Sequence, residues 1–174
     1  MPAAWKATRT RRLRRAEETL LWDAALSVAR EQLGRREDAL GSKRTPYTLW
    51  YGVFCPFSVV FAAFCYAQAG SSAFRSGSRY AYAPYLLDDA RRGFNFLSLA
   101  SEPLRGDLAL LDTDEDGIPD RVALFDGLER EQDSQVFDAI EGDVGIEGQL
   151  DGEGAVARTK RPLAQVSAFV HVRA

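Results

Sequence analysis

Histidine and cysteine are nearly missing. The chain of 174 residues has one histidine, His171, and two cysteines, Cys55 and Cys65. Two thiols exclude a disulfide framework and a cysteine-rich zinc site. A bridge between them would have to cross about two helical turns, so both are expected as free thiols, and they do not decide the redox compartment. Neither sign of charge dominates: the net charge is -3, which gives no reason to expect nucleic acid as a partner. No apolar h-region follows the N-terminal positive charges, so no secretory signal is expected. The only candidate membrane segment, Val53 to Ala67, is shorter than the roughly 20 residues that span a bilayer and contains Pro56 and Ser58. It is expected as a buried core helix, with no membrane insertion.

What remains is an ordinary globular composition, 46% hydrophobic and 27% charged, in a length that suits one domain with a sizeable core. Charge is unevenly placed. Arg9, Arg11, Arg12, Arg14 and Arg15 crowd the start, whereas Asp107 to Asp151 is strongly acidic. Residues 1–10 are expected as an extended basic arm and residues 11–174 as the domain proper. Apolar positions at helical spacing predict a helix from about Arg11 to Leu33, ended by Gly34. The longest apolar run, Phe57 to Gly70, is bracketed by Pro56 and Gly70 and predicts a helix buried on most faces. Ser58 lies in its first turn, where the helix N-terminus favours a nucleophile or an anion. Ser71 to Tyr82, with Arg75 and Arg79, is expected as a surface loop, and Pro84 to Arg92 as a short helix ending at Gly93. After Gly93 the pattern changes to short runs of strand formers at Leu108–Leu111, Val122–Phe125, Val136–Ile140, Ala155–Arg158 and Val166–Val172. Helices first and strands afterwards predict an α+β domain with an antiparallel sheet.

Asp112, Asp114, Asp116, Gly117 and Asp120 follow the first positions of an Asp-x-Asp-x-Asp-Gly cation loop. Ala123 stands where an EF-hand has its bidentate Glu, so Ca²⁺ at Asp112, Asp114, Asp116 and Asp120 would be held weakly. The competing expectation is a tight, soluble strand connection.

Several pieces in order resemble one family: Ala29-Arg30-Glu31-Gln32-Leu33-Gly34, Tyr47-Thr48-Leu49-Trp50-Tyr51-Gly52, the Phe57 to Gly70 helix, Gly106-Asp107-Leu108, the acidic loop, Ile140-Glu141-Gly142 and Arg158-Thr159-Lys160-Arg161-Pro162. Together they resemble the cysteine- and histidine-dependent amidohydrolase/peptidase (CHAP) domain, a papain-like fold found in actinobacterial phage endolysins. The resemblance implies a nucleophilic cysteine where this chain has Ser58, a basic histidine where it has Arg121, and a third polar residue where it has Asp143. A serine needs a base to take its proton, and arginine stays protonated. His171 lies in the final strand, away from the family's base position, and Cys55 precedes the helix that would activate it. The expected function is therefore that of a pseudoenzyme with a structural or docking role, assembled with protein partners in a phage virion or tail-like particle, or in the host cytoplasm before assembly. The alternatives are a pseudo-lysin that binds peptidoglycan peptides, or an active amidase or endopeptidase with a rearranged nucleophile. Arg121 and Asp143 are expected to form a salt bridge across the cleft floor, and Arg121 with Ser58 to receive a carboxylate.

Overall fold

A computed structural model describes residues 3–74, 80–128, 135–145 and 154–174, with side chains from residue 16 onward. Four helices come first: α1 (Ala3–Glu31), α2 (Pro46–Tyr51), α3 (Ser58–Gln68) and α4 (Ala83–Arg92). Six strands follow: β1 (Leu97–Ala100), β2 (Leu108–Leu111), β3 (Arg121–Leu128), β4 (Val136–Val144), β5 (Ala155–Pro162) and β6 (Val166–Val172). The protein is α+β, with N-terminal helices packed on an antiparallel sheet of strand order β1-β6-β2-β3-β4-β5.

α1 departs from the sequence expectation at its start. It is helical from Ala3, so residues 3–10 form its first turns rather than an extended arm. Ala3, Ala4, Lys6, Ala7 and Arg9 are good helix formers, and a proline just ahead of them is compatible with a helix start. Tyr47 to Tyr51 also becomes helical, because Thr45 and Thr48 close a capping box and Pro46 fits the first turn. The connection after α3 is less superficial than expected. Ala73, Phe74 and Tyr80 are buried in the core, while Arg75 and Arg79 lie outside the described residues. β1 gave no signal because Ser98 interrupts its apolar residues and only Leu97 of the four is buried.

Alternation along the strands sends side chains to two separate cores. Leu108, Leu110, Val122, Leu124, Ile140, Val170 and Val172 face the helices. Ala109, Leu111, Ala123, Phe125, Phe137 and Ala139 face the other way, joined by Val166 and Phe169. Burial on both faces explains why β2 reads as an unbroken apolar run. The second core also shows that the sheet curls. β4 and β6 are three strands apart, about 14 Å in a flat sheet, yet the Phe137 and Phe169 rings lie 6.0 Å apart, with Phe125 at 5.5 Å from each.

α3 crosses the first core as the central element. Ser58 to Ala63, Cys65 and Tyr66 are all buried. The sheet is closest to it at Gly142, where a Cβ would lie 2.7 Å from Phe61 Cβ and 3.0 Å from Phe57 Cδ2. Only glycine lets β4 pass there. That contact fixes the first turn of α3 against the end of β4 and sets up the site.

Candidate functional site

α3 begins at Ser58, after Phe57, and has no side-chain cap of its own. The cap comes from the sheet: Phe57 N–H donates to Asp143 Oδ2 at 3.2 Å. Asp143 reaches it because β4 bulges between Glu141 and Val144 and Asp143 takes a left-handed backbone, φ 62°. Aspartate tolerates that region better than most residues. Its other carboxylate oxygen accepts from Lys43 Nζ at 2.7 Å.

Lys43 is placed by a buried carboxylate on the preceding loop. Glu37 accepts from Gly41 N–H at 2.7 Å and from Lys43 N–H at 2.6 Å, and Lys43 C=O accepts from Thr48 Oγ1 at 2.6 Å. Sequence reasoning missed Lys43. A lysine between Ser42 and Arg44 carries no signal until the fold brings it to Asp143.

Arg121 opens β3 at the same place, but it does not bind the Asp143 carboxylate. Its Nη2 donates to the backbone carbonyls of Gly142 at 3.1 Å and Asp143 at 2.7 Å. Its Nε makes a long contact, 3.5 Å, with Glu141 Oε2. The expected Arg121–Asp143 salt bridge is replaced because the bulge turns Asp143's carbonyl toward β3 and its carboxylate toward α3. Glu141 is fully buried and already satisfied by Arg161 Nε at 2.6 Å, Arg161 Nη2 at 3.3 Å and Thr159 Oγ1 at 2.6 Å. Arg121 is thus a clamp between β3 and the bulge of β4, and its Nη1 bonds nothing among the described residues.

Ser58 is 4% exposed, and its hydroxyl has no hydrogen-bond partner among the described residues. No histidine stands at the start of α3 among the described residues. Arg121 stays protonated, and the Asp143 carboxylate accepts from Lys43 Nζ and Phe57 N–H. Cys55 is half-buried and unbridged. Burial, and then the charge of Asp143, push its thiol up, the opposite of what a nucleophilic cysteine needs. Cys65 is fully buried, and burial raises it well above the usual thiol range.

His171 lies at the other end of the sheet. Its Nδ1 is 2.5 Å from Oδ1 of the buried Asp107, and its ring stacks on Trp22 at 5.6 Å. Asp107 immediately precedes β2, whereas Arg121 pairs with Leu111 at its far end. Four residues at about 3.3 Å each separate the two places by roughly 13 Å. Ser98 faces His171 across the β1–β6 ladder, and no hydrogen bond joins them among the described residues. The histidine therefore serves the packing of α1 on the sheet and cannot act on Ser58.

The acidic loop gathers part of the expected ligand set. Oxygens of Asp112, Asp114 and Asp116 lie within 4.8 Å of one another, close enough for one hard cation to bridge. Partial desolvation, then the charge of Asp116, push the Asp114 carboxyl up. Asp120 stands apart, accepting from Thr113 Oγ1 at 2.6 Å and Thr113 N–H at 3.3 Å. Asp112 accepts from Asp116 N–H at 3.2 Å and Gly117 N–H at 2.8 Å, which is the bonding of a tight turn.

No family model matches the chain, and no curated protein matches its sequence. Solved structures do share its fold. The crystal structure of Ly7917 with the hydrolyzing product of MDP superposes at a TM-score of 0.53 and 14% identity, over 87% of this chain and 62% of Ly7917. A second crystal structure of Ly7917 aligns over the same shares at a TM-score of 0.46 and 14% identity. The chain spans less than two thirds of that protein's length. At this identity the likeness is one of architecture, and the conclusion it supports is that this chain shares the α+β fold of Ly7917.

Proposed function

We propose that this chain is a catalytically silent CHAP-like domain with a peptidoglycan-related role, in which the cleft at the start of α3 holds a wall peptide without cutting it. The observation that carries the reading is the fate of the base position. Arg121 occupies it, clamped to Gly142 O and Asp143 O, while the only histidine is anchored to Asp107 at the opposite end of β2. A hydroxyl with no base beside it does not become a nucleophile. The peptidoglycan side of the reading is supported by the shared fold, since the Ly7917 structure holds the hydrolyzing product of MDP, a peptidoglycan fragment.

Sedimentation with purified cell walls tests the binding: the chain should pellet with them, and a chain that stays in the supernatant counts against the role. Zymography tests the silence. The wild type should leave the walls intact, and Ser58→Cys with Arg121→His asks whether the old pair restores cleavage.

A second reading, a docking component of a phage virion or tail-like particle, is favoured by α1. At about 1.5 Å per residue its 29 residues reach roughly 43 Å. Its described core residues begin only at Leu21. The preceding turns carry the arginine cluster, which suits an acidic protein surface. Cosedimentation with particles, rather than with walls, would favour this reading.

A further inference from the structure

A cavity of about 580 Å³ opens between α1 and the turn that joins α4 to β1, lined by Glu17, Glu18, Phe94, Asn95, Phe96 and Arg173. Its volume suits a small ligand, for which sites of roughly 300–1,000 Å³ are usual. The turn is built at a cost. Leu97 N–H donates to Phe94 C=O at 2.9 Å, and both central residues are left-handed, Asn95 at φ 50° and Phe96 at φ 61°. Asparagine suits such a turn, and the Asn95 amide is anchored on Ala73 C=O and the Tyr80 hydroxyl, each at 2.8 Å. Phenylalanine does not suit it, because a bulky side chain strains that backbone. Packing does not offset the strain, since Phe96 is 45% exposed and Phe94 65%. A strained turn thus holds two aromatic side chains out at the cavity, the kind of outlier that points to a ligand clamp.

The polar wall is equally unmatched. Neither Glu17 nor Glu18 bonds anything among the described residues. Arg173 Nη2 donates to Gly93 C=O at 2.9 Å and to Leu97 C=O at 3.2 Å, which ties the guanidinium to the turn. Its Nε–H is buried without an acceptor, and its Nη1 bonds nothing among the described residues. The cavity therefore has carboxylates short of donors, a guanidinium short of acceptors and two uncovered aromatic side chains. A simple cation would match the carboxylates alone, and a simple anion would match Arg173 alone. A pyranose matches all three, with hydroxyls that donate and accept and a flat C–H face that stacks on an aromatic ring.

We propose that this cavity is a saccharide site, in which Phe94 and Phe96 stack on the sugar and Glu17, Glu18 and Arg173 bond its hydroxyl and acetamido groups. None of its lining residues belongs to the start of α3. The choice of an N-acetylated glycan rests on the peptidoglycan reading, whereas the saccharide chemistry rests on the cavity alone.

Titration of the whole chain with tri-N-acetylchitotriose, followed through amide NMR resonances, tests the proposal. Resonances of Phe94 to Leu97 and Arg173 should shift and saturate at millimolar concentration. Phe94→Ala, which removes an exposed ring, should weaken binding about tenfold at an unchanged urea midpoint. Phe96→Gly should weaken it similarly while the midpoint holds or rises, because glycine relieves the left-handed strain. A lower midpoint for Phe96→Gly with saccharide binding intact would make Phe96 a packing residue and overturn the proposal. Tighter binding of acetyl-lysine amide than of the trisaccharide would reveal a cation site and overturn it too. Wall binding by a chain that ignores the trisaccharide removes this site and keeps the peptidoglycan role. Trisaccharide binding by a chain that ignores walls does the reverse.

Discussion

The two ends of β2 keep apart a carboxylate–imidazole pair and a helix-opening hydroxyl. At one end Asp107 orients His171 beneath Trp22, a carboxylate–imidazole pair with no hydroxyl bonded to it. At the other, Ser58 opens the helix that Asp143 caps through Phe57 N–H, a hydroxyl with no histidine beside it among the described residues. Both ends are equally well built. Each has a buried carboxylate satisfied by its neighbours, and each has a glycine pressed against an aromatic side chain, Gly106 on Trp22 and Gly142 on Phe61. Order is therefore no guide to chemistry here. What separates an active centre from a packed one is whether a proton acceptor and a hydroxyl meet, and about 13 Å of strand keeps these apart.

The largest effect is expected at Glu141. Glu141→Ala removes the buried carboxylate that accepts from Arg161 and Thr159 and should cost about 3–5 kcal/mol, read from the urea midpoint. A loss below about 1 kcal/mol would mean that the Ser58 end is not held by this network. Next come the two glycines. A Cβ on Gly106 would lie 2.4 Å from Trp22 Cβ at φ +99°, so Gly106→Ala should cost about 3 kcal/mol. Gly142→Ala, with no positive φ, should cost about 2 kcal/mol. The reverse order would show that the Ser58 end is the more rigid.

A pH series separates the ends further. Asp126 lies beside Gly106, whose N–H donates to Phe125 C=O. Burial would raise the Asp126 carboxyl, but bonds from Arg105 and Arg158 and the charge of Arg30 hold it below the usual range. A depressed carboxyl stabilises the fold above the unfolded value, near about 3.9, and that stability is lost as pH falls through the folded value. The urea midpoints of wild type and Asp126→Asn should therefore differ at pH 7 and converge below about pH 4. The smallest effect belongs to the half-buried ion pair. Lys43→Met should cost about 1 kcal/mol, because the buried Asp143 carboxylate loses its cation while Lys43 is partly solvated and the helix cap from Asp143 survives.

The sequence carried the architecture in its periodicities. β2 and β6 have the bounds that their runs of strand formers mark, and α3 spans the apolar run between Pro56 and Gly70. The positions of Ser58 in the first turn of α3 and of Arg121 at the start of β3 were legible too. Their bonding was not. It depends on a bulge and a left-handed Asp143 that move a carboxylate from one neighbour to another, and neither leaves a mark in Glu141-Gly142-Asp143. Lys43 was illegible for the same reason, because its partner lies a hundred residues away. Residues 3–10 were misread as extended because the stretch is polar and follows Pro2, whereas proline is tolerated at a helix start and alanine, lysine and arginine favour the helix.

One measurement reaches the centre of this comparison: purified wild-type chain and its Ser58→Ala variant incubated with bacterial peptidoglycan, with released amino groups and fragments followed over time. If the two ends are as separate as the geometry makes them, neither protein releases anything. Cleavage by the wild type that disappears in Ser58→Ala would show that Ser58 has found a base, and would contradict the reading of a silent cleft.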